Sequence, residues 1–138
     1  MLVSWNTTNQ CNMYCDHCYR DAGAKLEEEL TTEQGKNLID QIKAAGFRLM
    51  IMSGGEPLMR SDIVELCAYS VSRGLRTVMG TNGTLITPLV ARELRRSGVA
   101  ACAVSLDSIL ASNNDAFRKL EGAYDRALEG MENLKAAG

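Results

Sequence analysis

Three glycines, Gly46, Gly74 and Gly98, each close an amphipathic stretch and hand over at once to an apolar one. This recurrence is what most restricts the fold. Ahead of Gly46, the pair Thr31 and Gln34 forms a T-x-x-Q capping box, and Leu38, Ile39, Ile42 and Ala45 recur at helical spacing. Residues 47–53 then run apolar with only Arg48 interrupting, which predicts a strand. The pattern repeats in residues 62–73, a helix with Ile63, Leu66, Cys67 and Val71 inward, and in residues 75–81, a strand. It repeats again where Thr87-Pro88 starts a helix carrying Leu89, Val90 and Leu94, followed by a strand over 99–106. A first strand is expected over residues 2–8, and a last helix over 124–137 with Leu128, Met131 and Leu134 on one face.

Near-continuous apolar strands alternating with amphipathic helices make a parallel sheet covered by its helices, either an α/β barrel or a doubly wound sheet. A closed eight-stranded barrel takes about 250 residues, so four βα units form an open arc of one and leave an edge strand unpaired. Gly138 stands where the earlier glycines introduce the next strand. The expectation is therefore one domain, residues 1–138, forming the N-terminal portion of a larger partial barrel whose later strands, and any domain with auxiliary clusters, lie outside this chain.

The net charge of -2, with both signs scattered, provides no basic stripe for nucleic-acid phosphates and no polybasic membrane anchor. No stretch approaches 18 consecutive apolar residues, and the N-terminus lacks the layout of a secretory signal. These features point to a cytoplasmic protein acting on a small molecule or a peptide. Of the five cysteines, three crowd into eight residues, a spacing unlike a disulfide scaffold and suited to a metal in a reducing compartment. Cys67 and Cys102 lie in apolar stretches and read as small core residues, as do Met13, Tyr14, Met50, Met52 and Met79 as packing residues.

The array CNMYCDHC, with Cys11, Cys15 and Cys18, directly follows the first strand, on the side where barrel enzymes build their sites. Three thiolates can ligate three irons of a [4Fe-4S] cubane and leave the fourth iron open to another ligand. Two other readings stand beside this one. A zinc-stabilised module would use His17, the one histidine, as fourth ligand, and an electron-transfer iron–sulfur protein would recruit a more distant thiol.

With the aromatic Tyr19 following it, CxxxCxxC resembles the defining motif of the radical S-adenosylmethionine (radical SAM) superfamily. Three further segments match that family in order and place: SGGEP at 53–57, TNGT at 81–84 and SLDS at 105–108, each at the end of a successive strand. The resemblance implies a partial TIM barrel, a [4Fe-4S] cluster on Cys11, Cys15 and Cys18, and S-adenosylmethionine (SAM) as the second cofactor. It implies that Gly54 and Gly55 let backbone approach the ligand, that Glu56 faces the SAM ammonium group, and that Asn82 and Ser105 contact SAM. Asp107 is either a further contact or a helix-capping acid. Arg118, in DAFRKLEGAYDRAL, resembles the arginine of an HDxxRG-type segment that reaches the SAM carboxylate, where a guanidinium fork suits its target. Here Asn114 replaces the usual His and Lys119 the usual Gly.

The activity so implied is oxidoreductase chemistry: a one-electron donor such as a flavodoxin or ferredoxin reduces the cluster, SAM is cleaved to a 5'-deoxyadenosyl radical, and that radical takes hydrogen from the substrate. The opening WNTTNQCNMYCDHCYRDAG resembles radical SAM proteins of the haem d1 and alternative haem pathways, which implies a sirohaem-derived tetrapyrrole as substrate. The peptide-modifying maturases share the SLD and arginine features and imply a peptide instead.

Overall fold

Each apolar run that follows a glycine is a strand, somewhat shorter than its hydrophobic stretch. The computed structural model describes all residues, 1–138. Its strands are β1 (Leu2–Asn6), β2 (Leu49–Ser53), β3 (Arg76–Thr81) and β4 (Ala101–Val104). They form one sheet in the order β1-β2-β3-β4, every neighbouring pair parallel. The helices are α1 (Thr32–Ala44), α2 (Ile63–Ser72), α3 (Pro88–Arg96), α4 (Ala111–Arg118) and α5 (Ala123–Ala137), and a short 3-10 turn spans Pro57–Met59.

Strand order equal to chain order decides between barrel and doubly wound sheet. Right-handed crossovers between successive neighbours put every helix on the same face, whereas double winding requires the order to reverse. The alternation of side chains agrees. Met50 and Met52 of β2 and Met79 of β3 are fully buried in one cluster with Ile39 and Ile42 of α1, Leu66 and Cys67 of α2, and Leu94 of α3. On the opposite face Ser4, Ala101 and Ala103 are exposed. The sheet is a four-unit α/β arc, a partial barrel with its concave face open and with β1 and β4 as its edges. No helix is long and apolar enough to cross a membrane.

The helix starts follow from their caps. Thr31 Oγ1 accepts from the Gln34 N–H while Gln34 Oε1 accepts from the Thr31 N–H, closing the expected capping box, and Thr87 Oγ1 accepts from the Val90 N–H ahead of Pro88. Several apolar positions are corrected. Ala45, Leu89 and Leu128 face solvent, as does Tyr14 in the cysteine loop. The buried stripe of α5 is Ala123, Ala127 and Gly130, because that helix lies against the turn at Gly83. A Cβ on Gly83, at φ +81, would meet the Val104 side chain at 2.5 Å and Ala127 at 3.4 Å. Helix and turn are therefore too close for larger residues. α4 is a helix that hydrophobic periodicity does not announce, since its buried residues are Asn114 and Arg118.

Candidate functional site

The loops leaving the C-terminal ends of the four strands enclose an open cavity of about 230 Å³. It is lined by Cys11, Cys15, Cys18, Gly54, Gly55, Asn82, Ser105 and Arg118, so eight residues picked out by sequence reasoning meet in one place. Glu56 does not line it.

The cysteine loop enters through a short bridge between Gln10 and Gly23, with the Cys11 N–H donating to the Gly23 carbonyl at 3.0 Å. Its far half sits on the C-terminal turn of α4. There the Asp16 N–H donates to the Phe117 carbonyl at 3.1 Å, the Cys15 thiol reaches the Arg118 carbonyl at 3.8 Å, and Asp16 pairs with Lys119. Lys119 adopts a left-handed conformation, φ 52, which explains why a glycine suits this position elsewhere in the resembling pattern. All three thiols are free and half-buried. Burial holds the Cys11 and Cys15 thiols above the ordinary value, and the Arg118 charge pulls Cys15 partly back.

No fourth thiol lines the cavity. Cys67 is fully buried, with burial pushing its thiol up to about 12, and burial raises Cys102 to about 11. His17 lies flat against Phe117, ring centroids 4.4 Å apart and planes 1° from parallel. His17 lines the same cavity as the three thiols but its ring is engaged with Phe117. Soft, free thiols spread around one cavity are a donor set for an iron–sulfur cluster. Three of the residues lining the cavity with them carry polar atoms without a partner. The Arg118 Nε–H is buried without a partner, and no donor reaches the carbonyl oxygens of Gly54 and Gly55.

The glycine pair, expected to let backbone approach a ligand, also lets backbone approach backbone. The space a Cβ would take on Gly54 is filled by the Thr8 carbonyl, 2.6 Å away, and on Gly55 by the carbonyls of Asn9 and Gln10. The Gly55 and Glu56 N–H groups donate there, to Thr8 at 2.9 Å and Gln10 at 2.7 Å. The glycines let two backbones touch at the root of the cysteine loop.

Glu56 was expected to face an ammonium ion. Its carboxylate is fully buried instead and accepts from the Leu58 N–H at 3.1 Å, the Thr81 hydroxyl at 2.8 Å and the Asn82 N–H at 2.7 Å. Burial pushes its pKa up and those donors pull it back. It is a bracket between the ends of β2 and β3. The Asn82 side chain is likewise engaged within the protein, by Asn12 and Thr84. Neither Asn12 nor Thr81 stood out in the sequence, because an unremarkable polar residue in a loop has no signal of its own.

At β4, Ser105 is held by its N–H to the Thr81 carbonyl at 3.1 Å and sits on the cavity wall. Asp107 neither caps a helix nor is free: it pairs with Arg118 at 2.5 Å, while the Asn114 side-chain oxygen accepts from the Asp107 N–H at 3.1 Å. Asn114 and Arg118, four apart on α4, share one face and both grip the SLDS loop. Arg118 is 6% exposed, a buried guanidinium on a helix whose other buried residue is Asn114.

An open α/β arc whose strand-end loops gather three free thiols, bare backbone carbonyls and a buried guanidinium is the layout of a cofactor-dependent barrel enzyme. The chain belongs to the radical SAM superfamily, whose family model matches residues 5–138. Among its relatives are the Fe-coproporphyrin III synthase of Methanosarcina barkeri, 46% identical over 99% of this chain and 34% of that protein, and the AdoMet-dependent heme synthase of Nitratidesulfovibrio vulgaris, 41% identical over 99% and 38%. The mycofactocin maturase MftC of Mycolicibacterium smegmatis is 38% identical over 100% of this chain and 35% of its own length. The fold matches Streptococcus suis SuiB bound to S-adenosylmethionine with a TM-score of 0.84, at 21% identity, over 99% of this chain and 31% of SuiB. The chain thus spans about a third of the length of the curated relatives it matches.

Proposed function

We propose that the chain is the cofactor-binding part of a radical SAM enzyme in which Cys11, Cys15 and Cys18 hold a [4Fe-4S] cluster and SAM occupies the adjoining cavity. The observation that carries this is the convergence of three free thiols and Arg118, whose buried Nε–H has no partner, around one cavity. When bound, cluster and SAM together supply a carbon-centred radical that abstracts hydrogen from a substrate.

The chain's own residues bind and orient. The carbonyls of Gly54 and Gly55, rather than the Glu56 carboxylate, accept from the SAM ammonium group. The Arg118 Nε–H donates to its carboxylate while Asp107 holds the other side of the guanidinium and fixes its plane. Ser105 offers a hydroxyl from β4, and Tyr19, 85% exposed at the end of the cysteine loop, is free to cover a ligand face. The concave face of the sheet is where a substrate would lie. A tetrapyrrole is the favoured substrate class, supported by identities of 46% and 41% to the two relatives named for a coproporphyrin and a haem product. The 38% identity to a peptide maturase supports a peptide as the second reading.

Anaerobic reconstitution followed by iron, sulfide and zinc analysis tests the cluster, and a SAM-induced change in the EPR spectrum of the reduced cluster tests the cavity. Replacing any of the three cysteines with Ala should abolish the cluster. Stoichiometric zinc with refusal of iron would sink the reading, as would retention of a full cluster in the single variants. Comparing an iron coproporphyrin with a peptide as ligands of the loaded protein separates the substrate classes.

A further inference from the structure

The side chains of Asn12, Asn82 and Thr84 close a ring of hydrogen bonds in which each both donates and accepts. Asn82 Nδ2 donates to Asn12 Oδ1 at 2.7 Å, Asn12 Nδ2 donates to Thr84 Oγ1 at 2.9 Å, and the Thr84 hydroxyl donates to Asn82 Oδ1 at 2.8 Å. The orientations are over-determined. The Thr84 backbone N–H can only donate, and it reaches Asn82 Oδ1 at 3.0 Å, so Asn82 must turn its nitrogen to Asn12. Asn12 must then answer with its oxygen, which leaves its nitrogen for Thr84. A closed ring of this kind strengthens each member through its neighbours.

The ring spans 70 residues of sequence and joins the cysteine loop to the turn after β3. On the other side of that turn, the Asn82 N–H and the Thr81 hydroxyl bind the Glu56 carboxylate. A continuous path of hydrogen bonds therefore runs from the GGEP segment through TNGT to the residue after Cys11. The loop needs such an anchor. Its root is tied at Cys11 to Gly23, and its far half at Asp16 to Phe117, but no backbone group of Asn12, Met13 or Tyr14 is hydrogen-bonded to the backbone of another segment. Within that span only the Asn12 side chain and the buried Met13 hold the loop down.

We infer that Asn12 is a positioning residue that pins the Cys11–Cys15 span of the loop to the end of β3 in the iron-free protein, and that Asn82 serves the cofactor site through Asn12 rather than by touching a ligand. The consequence for cluster and SAM rests on the function proposed above. The pin itself does not.

The test is a double-mutant cycle on the full chain, reading amide exchange in the iron-free, reduced state and SAM binding in the reconstituted state. Asn12→Ala and Asn82→Ala should each speed exchange at Cys11, Asp16 and Cys18 about tenfold, as loss of the one bond the two side chains share implies, and the double variant should add nothing further. Both single variants should then weaken SAM binding to the same extent. Asn12→Asp, which keeps the oxygen that Asn82 donates to, should recover most of the protection, a rescue that generic destabilisation would not give. Additive effects on exchange would overturn the inference, and so would a loss of SAM binding in Asn82→Ala that Asn12→Ala does not share. If no cluster assembles on the unaltered chain, the functional reading fails while the exchange cycle still decides the pin.

Discussion

Glu56→Gln distinguishes a ligand-facing carboxylate from a buried bracket. The replacement keeps the shape but turns one acceptor into a donor. If the amide oxygen stays with the Leu58 N–H and the Thr81 hydroxyl, the new NH2 faces the Asn82 N–H, which now donates at 2.7 Å to the Glu56 carboxylate. If the amide flips, the Leu58 N–H loses its acceptor instead. Either way a charge-assisted bond is lost and a buried donor is orphaned, each about 1.5–3 kcal/mol. Relief from burying a charge offsets part of this. The net loss should be about 2–4 kcal/mol, or about 10 °C in Tm for a chain of this size. Thermal and urea denaturation of the iron-free chain measure it, and Thr81→Val, which removes both the bond to Glu56 and the one the hydroxyl accepts from the Gly83 N–H at 3.0 Å, should lose about 2 kcal/mol and still fold.

The pH dependence carries a sign. Burial raises the folded pKa of Glu56 above its ordinary value of 4.5, so the folded state binds the proton more tightly than the unfolded one. Its stabilising contribution is complete below 4.5 and is lost as pH rises through the folded value. Unchanged stability in Glu56→Gln, with SAM binding alone impaired, would refute the bracket and restore the ammonium contact.

Gly55→Ala should lose about 3 kcal/mol in urea denaturation even without cofactor, because the added Cβ meets backbone on a loop that cannot rotate away. Wild-type stability in that variant would mean the glycine is there for a ligand. Arg118→Lys should lower SAM affinity about tenfold by equilibrium binding, since a point charge cannot present a second directed N–H beside Asp107. Asp107→Asn should cost about 2–3 kcal/mol, less than the loss for a fully dry pair because the Asp107 side chain is 30% exposed. A neutral result there would show that Arg118 does not depend on its partner.

The sequence by itself determined the alternation of strands and helices, the helix caps at Thr31 and Thr87, and the presence of cysteine, glycine and polar segments at successive strand ends. All of these rest on local rules: periodicity, capping and glycine stops act within a few residues and are legible along the chain. Only the tertiary structure decided what the motif residues touch. Glu56 looked like a ligand for a cation and is bonded to β3; Asn82 looked like a cofactor contact and holds Asn12; Asp107, read as a contact or a cap, caps no helix and pairs with Arg118. α4 escaped periodicity because its inward face is Asn114 and Arg118, whose burial follows from partners in the SLDS loop rather than from hydrophobicity. The physical reason is common to these cases. A polar side chain at a strand end has several partners within reach, and which one it binds depends on how closely separate loops are brought together, which is set by the sheet and by glycines such as Gly54, Gly55 and Gly83 where backbones touch.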